Sequence, residues 1–232
     1  MAIAVATTAT TAYIQSTTPA ITMPSGIVSG DLLIVVMNTR TDDTDPTASG
    51  WTKVKKQDNQ AINAYLGGFV YSKVSNGTEG GSVTFTLGGN HWTSAVCYRI
   101  TGQASSGAVS ANNGANVSST STPAFAGAIT PTVESSLIIM GIFGTTITNV
   151  VGTYAITTSD PGGWTETIDQ GSTSPTGLGV RIASAYAIRT QITSTGNFSC
   201  SGGSAFTDWA GIIISISPFV APPTTSNFLA FM

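Results

Sequence analysis

His91 is the only histidine in the chain, so any serine or cysteine triad built here would have to use it. It lies in Gly89-Asn90-His91-Trp92, a turn context beside an apolar run. A strained Gly-x-Ser-x-Gly nucleophile elbow is absent; Gly171-Ser172-Thr173 and Gly203-Ser204-Ala205 lack the pattern. His91 therefore reads as a turn residue. Asp42, Asp43 and Asp45 cluster before Pro46, and closely spaced oxygen ligands can hold Ca²⁺. The EF-hand spacing of glycine and glutamate is missing, and a solvated loop whose carboxylates cap turns is the simpler reading. Glycoside hydrolysis needs two acids facing one another across a cleft. Asp58, Glu79, Asp169 and Asp208 are spread along the chain without such a motif. Cys97 and Cys200 sit in apolar, strand-like contexts with no metal-ligand spacing and read as buried free thiols. Trp51, Trp92, Trp164 and Trp209 are of the type that stacks on sugar rings, yet they fall at matched places in the two halves of the chain, which favours packing. Tyr65 and Tyr154 lie outside the matched positions and are freer to act as surface contacts. Catalysis and a bound cofactor are not expected.

The elements that would carry these residues occur twice. The first half runs Thr18-Pro19-Ala20, Gly30-Asp31-Leu32-Leu33-Ile34, Gly50-Trp51-Thr52, Val70-Tyr71-Ser72-Lys73, Val83-Thr84-Phe85 and His91-Trp92-Thr93. The second runs Thr122-Pro123-Ala124, Ser135-Ser136-Leu137-Ile138-Ile139, Gly163-Trp164-Thr165, Ala185-Tyr186-Ala187, Asn197-Phe198-Ser199 and Asp208-Trp209-Ala210. The order is the same and the spacing drifts slowly, as loop insertions would make it. Two copies of a strand-rich unit imply two similar sheets with their apolar faces together. Alternation in Val83-Thr84-Phe85-Thr86-Leu87 and the run Ile212-Ile213-Ile214 give strands. Turns follow at Pro24-Ser25-Gly26, Ser75-Asn76-Gly77, Gly88-Gly89-Asn90 and Asp160-Pro161-Gly162-Gly163. The expected fold is all-β: an antiparallel two-sheet β-sandwich, jelly-roll-like, with an internal two-fold repeat. Residues 1–218 form one domain of two repeats (about 1–102 and 120–218). Separate strands are expected at Ala2–Ala6 and Ala12–Ile14, a short one at Val109–Ala111, and a crossover over Gly102–Ser121.

Charged residues make up only 8% of the chain, against about 25% in ordinary soluble proteins, and the net charge is −3. Such copies repel one another weakly, so much of the surface is expected to meet partners or other copies. The eight Lys and Arg are scattered, which argues against nucleic acid as a partner. No apolar run approaches the ~18 residues of a membrane helix, and the amino terminus lacks a signal-peptide pattern, so a soluble protein made in the cytoplasm is expected. Residues 219–232 differ from the rest. Pro222 and Pro223, after Pro218, forbid continued pairing, and Asn227-Phe228-Leu229-Ala230-Phe231-Met232 forms an apolar tip. Phe228, Leu229, Phe231 and Met232 are the candidate docking residues, onto the chain's own sandwich or onto a neighbouring subunit.

The phrase Pro24-Ser25-Gly26, Gly30-Asp31-Leu32-Leu33-Ile34, Gly50-Trp51-Thr52, Val70-Tyr71-Ser72-Lys73-Val74 resembles a β-sandwich module common in tailed-bacteriophage virion proteins, including tail fibres, tail tips and head decorations. The resemblance covers about residues 18–218. In the second half Glu134-Ser135-Ser136 stands where the module has Gly-Asp. The resemblance implies a non-enzymatic virion protein: a capsid decoration or cement protein bound to the major capsid protein or other virion proteins, assembled in the host cytoplasm. Such a protein is expected to form a symmetric homo-oligomer, and a trimer would suit a threefold lattice position. The alternative is a tail-fibre or tail-tip adhesin that binds a host glycan.

Overall fold

The computed structural model describes residues 2–40, 44–59, 66–118, 124–125, 127–146, 154–156, 160, 162–171, 179–202 and 206–221. The first half contributes β1 (Ala4–Ser16), β2 (Ala20–Thr22), β3 (Leu32–Arg40), β4 (Thr52–Asn59), β5 (Leu66–Val74), β6 (Ser82–Thr84) and β7 (His91–Thr101). The second contributes β8 (Val109–Ser118), β9 (Ala124–Phe125), β10 (Ser136–Thr146), β11 (Tyr154–Ile156), β12 (Thr165–Gly171), β13 (Gly179–Arg189), β14 (Phe198–Gly202) and β15 (Phe206–Ile216). The described residues contain no helix.

Each half folds into its own five-stranded sheet. The orders are β1-β7-β3-β5-β4 and β8-β15-β10-β13-β12. Read strand for strand these are the same topology, and every pairing is antiparallel. The edge strands even carry the same bulge, between Lys53 and Lys55 in β4 and between Glu166 and Ile168 in β12. Each bulge follows a Gly-Trp-Thr step whose glycine is left-handed, with φ 77° at Gly50 and 76° at Gly163. An extra residue at an edge bends the strand and spoils it as a template for further pairing.

The two sheets stack face to face. β4 lies over β8 and β15, while β12 lies over β1 and β7, an approximate twofold relation. Leu32, Ile34, Val36, Val96 and Tyr98 of the first sheet meet Leu137, Ile139, Phe143, Ile182, Ile212 and Ile214 of the second. The outer faces are covered as well. The β2–β6 ladder closes Ile21, Met23 and Phe85 over Leu33, Val35, Met37, Phe69 and Tyr71. On the other side β9, β14 and β11 form a small sheet, and Phe198, Cys200 and Ile129 close over Ile138, Met140, Ile142 and Trp209. Burial on both faces explains why β3 and β10 read as unbroken apolar runs rather than alternating ones.

Two local expectations change. The two expected strands Ala2–Ala6 and Ala12–Ile14 are replaced by one, β1, which begins at Ala4 and has irregular pairings between Val5 and Thr7 and between Thr11 and Ile14. The Ser-, Ala-, Asn- and Gly-rich stretch taken for a crossover contains β8, a full edge strand paired with β15 from Val109 to Ser118. Pairing with an apolar central strand overrides the poor strand propensity of Asn and Gly.

Candidate interaction surfaces

The residues singled out for chemistry are dispersed. His91 opens β7 opposite Ser16, at a strand start. Asp45 is tied to Lys53 and lies 3.1 Å from Lys56; Asp42 and Asp43 lie outside the described residues. Asp58 pairs with Lys56 at 3.0 Å, Glu79 with Lys73 at 3.1 Å and Asp169 with Arg181 at 3.2 Å. Each of these acids lies beside a cation, and the Asp208 side chain lies outside the description. Among the described residues no group of three or more His, Cys, Asp and Glu is placed to hold a metal ion. Cys97 and Cys200 are free and buried in opposite outer cores, and burial pushes both thiols up, Cys200 to about 12. Neither is poised as a nucleophile.

The tryptophans divide into one true pair and one false one. Thr52 faces Ser72 and Thr165 faces Tyr186, so Gly50-Trp51-Thr52 and Gly163-Trp164-Thr165 are equivalent. Both tryptophans line outer cores; Trp51 lies 6.0 Å from Phe85 between ring centres. Trp92 and Trp209 are not equivalent. Trp209 faces Gly144 in β10, and the matching residue of β3, Thr39, faces Thr93. The offset is one residue, and one residue turns a side chain to the other face. Trp209 is fully buried in the outer core of the second half, whereas Trp92 is half-buried, 5.5 Å from Tyr13. Tyr71 and Tyr186 are offset in the same way, the first in an outer core and the second against the central one. The Tyr65 residue and the Tyr154 side chain lie outside the description.

Polar groups pin the stacked sheets. Asn38 is fully buried and donates through Nδ2 to the carbonyls of Arg181 (2.5 Å) and Gly144 (3.2 Å) across the interface. The Tyr98 hydroxyl lies 2.5 Å from Thr167 Oγ1 and 2.7 Å from Ser184 Oγ, and Tyr13 donates to the Val180 carbonyl at 2.7 Å. Composition gives no warning of these contacts, because each joins strands of different halves.

Two grooves related by the approximate twofold run along the seam between the sheets. One, about 360 Å³, lies between β4–β5 and β8 and is lined by Leu32, Val54, Val74 and Val109 with Thr52 and Ser72. The other, about 340 Å³, lies between β12–β13 and β1 and is lined by Thr7, Thr8, Thr165, Glu166, Thr167 and Tyr186. The fold makes both; aliphatic side chains dominate the first, whereas the second adds a carboxylate and more hydroxyls to Val5 and Ala6 and is the more polar. In the polar groove burial and then Asp169 raise the Glu166 carboxyl above its ordinary value.

A third hollow, about 320 Å³, sits at the end of the sandwich between the β7–β8 connection and the segment after β15. Phe219 donates its N–H to the Gly102 carbonyl at 2.7 Å, which holds Phe219 and Val220 at its rim. The candidate docking residues Phe228, Leu229, Phe231 and Met232 lie outside the described residues. No protein-family model matches the chain, and no curated protein or solved structure matches it.

Proposed function

We propose that this chain is a non-enzymatic structural protein of a bacteriophage virion, a capsid decoration or cement protein. It binds the head surface through contacts between subunits and through its carboxy-terminal tail. The observation that carries the reading is the apolar rim formed by Phe219 and Val220, 46% and 65% exposed, at the point where the chain continues into the tail. Contiguous exposed apolar surface marks an interaction site. The low charge and the duplicated sandwich support the same reading, since they suit a building block surrounded by like neighbours. The major capsid protein is the expected partner, and assembly takes place in the host cytoplasm.

A tail-fibre or tail-tip adhesin is the second reading, and the groove between β1 and β12 favours it. Threonine hydroxyls, the Glu166 carboxylate and the edge of Tyr186 suit the hydroxyl groups of a host glycan. Copy number per purified virion, by quantitative mass spectrometry against the major capsid protein, separates the two. Hundreds of copies accord with head decoration; a few to a few tens assign the chain to the tail; none removes both readings.

A further inference from the structure

Among the described residues the exposed large apolar side chains are Val28, Val74, Ile188, Ile192, Phe219 and Val220, between 40% and 65% exposed. They come from five separate places in the chain, Phe219 and Val220 being neighbours, yet all lie at one pole of the sandwich. Val28 donates its N–H to Asp31, next to the start of β3. Val74 ends β5 opposite Leu32, and Ile188 faces Leu137 at the start of β10. Ile192 belongs to the turn wrapped around the Arg189 guanidinium. Phe219 is bound to Gly102 just past the end of β7. The charges nearby are paired: Asp31 with Arg99, Glu79 with Lys73, and Arg189 with Asp160; Glu134 adds a further carboxylate. The terminal hollow and the seam groove share Gly107 in their linings, so they adjoin as a track between Val220 and Val74 in which apolar residues alternate with Ser105, Ser106, Thr52 and Ser72.

We propose that this pole receives the apolar tip, Phe228, Leu229, Phe231 and Met232, of a second copy of the chain. The proposal rests on the self-assembling virion protein described above and names the surface that takes the tail. From Trp209 to Met232 no side chain is charged, so the tip complements the track. The tail starts at the pole itself. Pro222-Pro223 opens the spacer to the tip with two residues that lack a backbone N–H and so cannot extend the pairing of the sheet. The net charge of −3 leaves copies repelling one another only weakly, so the pole of a neighbour can approach and take the tip. Head-to-tail exchange of this kind closes into a ring when the rotation between copies allows.

Complementation tests the proposal. One variant lacks Asn227–Met232 and keeps the pole; another keeps the tip and carries Val74→Asp with Val220→Asp. Both sites of substitution are exposed, so circular dichroism should show both variants folded. Light scattering after gel filtration should find the full chain oligomeric and each variant monomeric. An equimolar mixture should associate, since one partner brings the tip and the other the pole. If the double substitution unfolds, Val220→Asp alone replaces it. A tail-less chain that still forms the wild-type oligomer overturns the proposal. So does a mixture that stays monomeric, or a monomeric full chain whose melting temperature falls on truncation at every concentration, which would put the tip on its own pole. Particle loading is read separately: a chain that loads onto virions yet fails the mixing test removes the exchange and leaves the virion reading standing.

Discussion

The two halves share one topology and solve the same local problem with opposite charges. After β5 the chain turns around Glu79, whose side chain is 5% exposed. Its carboxylate accepts from the Ser75 hydroxyl, from the N–H groups of Asn76 and Gly77 at 3.1 Å, and from Lys73. After β13 the chain turns around Arg189, also nearly buried, which donates to the Thr193 and Ser194 carbonyls at 3.1 and 2.9 Å, to Thr193 Oγ1 at 2.7 Å and to Asp160. One hub gathers N–H groups and the other gathers carbonyls. What the fold requires is a buried hub with its hydrogen bonds filled, not a given sign of charge. The strands entering the sheets show the same freedom. Asp31 before β3 accepts from Val28 N–H and from Arg99 Nε (2.6 Å). Its counterpart, Ser136, donates to the Val133 carbonyl at 2.6 Å, and Ser215 stands where the first half has Arg99.

The largest expected difference between the halves comes from the falsely matched tryptophans. Trp209→Ala should cost about 3–5 kcal/mol in denaturant unfolding, because it empties a sealed outer core. Trp92→Ala should cost about 1–2 kcal/mol, since part of that ring is already wet. Equal costs would restore the equivalence that the pairing register denies.

Next comes the central interface, where Phe143 and Asn38 occupy matching positions. The Phe143 ring lies over Gly68, and a Cβ there would enter the ring. Gly68→Ala should therefore destabilise by about 1–3 kcal/mol, and Phe143→Leu should relieve much of that in the double variant. Additive costs would mean that the ring does not rest on Gly68.

The hubs should differ in acid. Burial opposes ionisation of Glu79, but its hydrogen bonds outweigh that and hold the carboxyl at about 2. A carboxyl depressed by folding contributes stability above its unfolded value, about 4.3, and that contribution is lost as pH falls toward 2. Melting temperature should thus drop over this window. Glu79→Gln should be less stable at neutral pH and flatter below it; a variant with the wild-type slope would take the acid sensitivity away from this turn.

The smallest effect concerns the turn that leads into each sheet-entry strand. Gly30 has φ 91° and its counterpart Ser135 has φ 58°, the one positive φ on a described residue other than glycine. Gly30→Ser should cost about 1 kcal/mol, as nothing but the backbone resists a Cβ there. Ser135→Gly should be neutral or stabilising by up to about 1 kcal/mol, because relief of strain is partly offset by the entropy of the unfolded glycine. Thermal melts of the pair would show whether the two turns are interchangeable.

Much of the architecture was legible from local signals. Gly-Trp-Thr marks the same left-handed glycine, tryptophan and bulge in both halves, and the repeated order of landmarks carries over strand by strand into the sheet order. Only the start of β8, Val109–Ala111, is legible, because Asn113, Gly114 and Asn116 favour turns in isolation and only the partner β15 holds them extended. The polar clasps of Asn38 and Tyr98 left no sequence signal, because an isolated Asn or Tyr in an apolar run says nothing about the carbonyl or hydroxyl it will meet in another sheet.

By itself the sequence determined the class of fold and its duplication. Turn residues and apolar runs act over a few positions, and repeating them in order repeats the sheet. Tertiary structure decided which face each aromatic serves, since a strand alternates with period two and a shift of one residue against its neighbours moves a ring from one core to another. It also brought Val28, Val74, Ile188, Ile192, Phe219 and Val220 to a single pole. Antiparallel pairing places starts and ends of different strands side by side, a proximity that no spacing along the chain records.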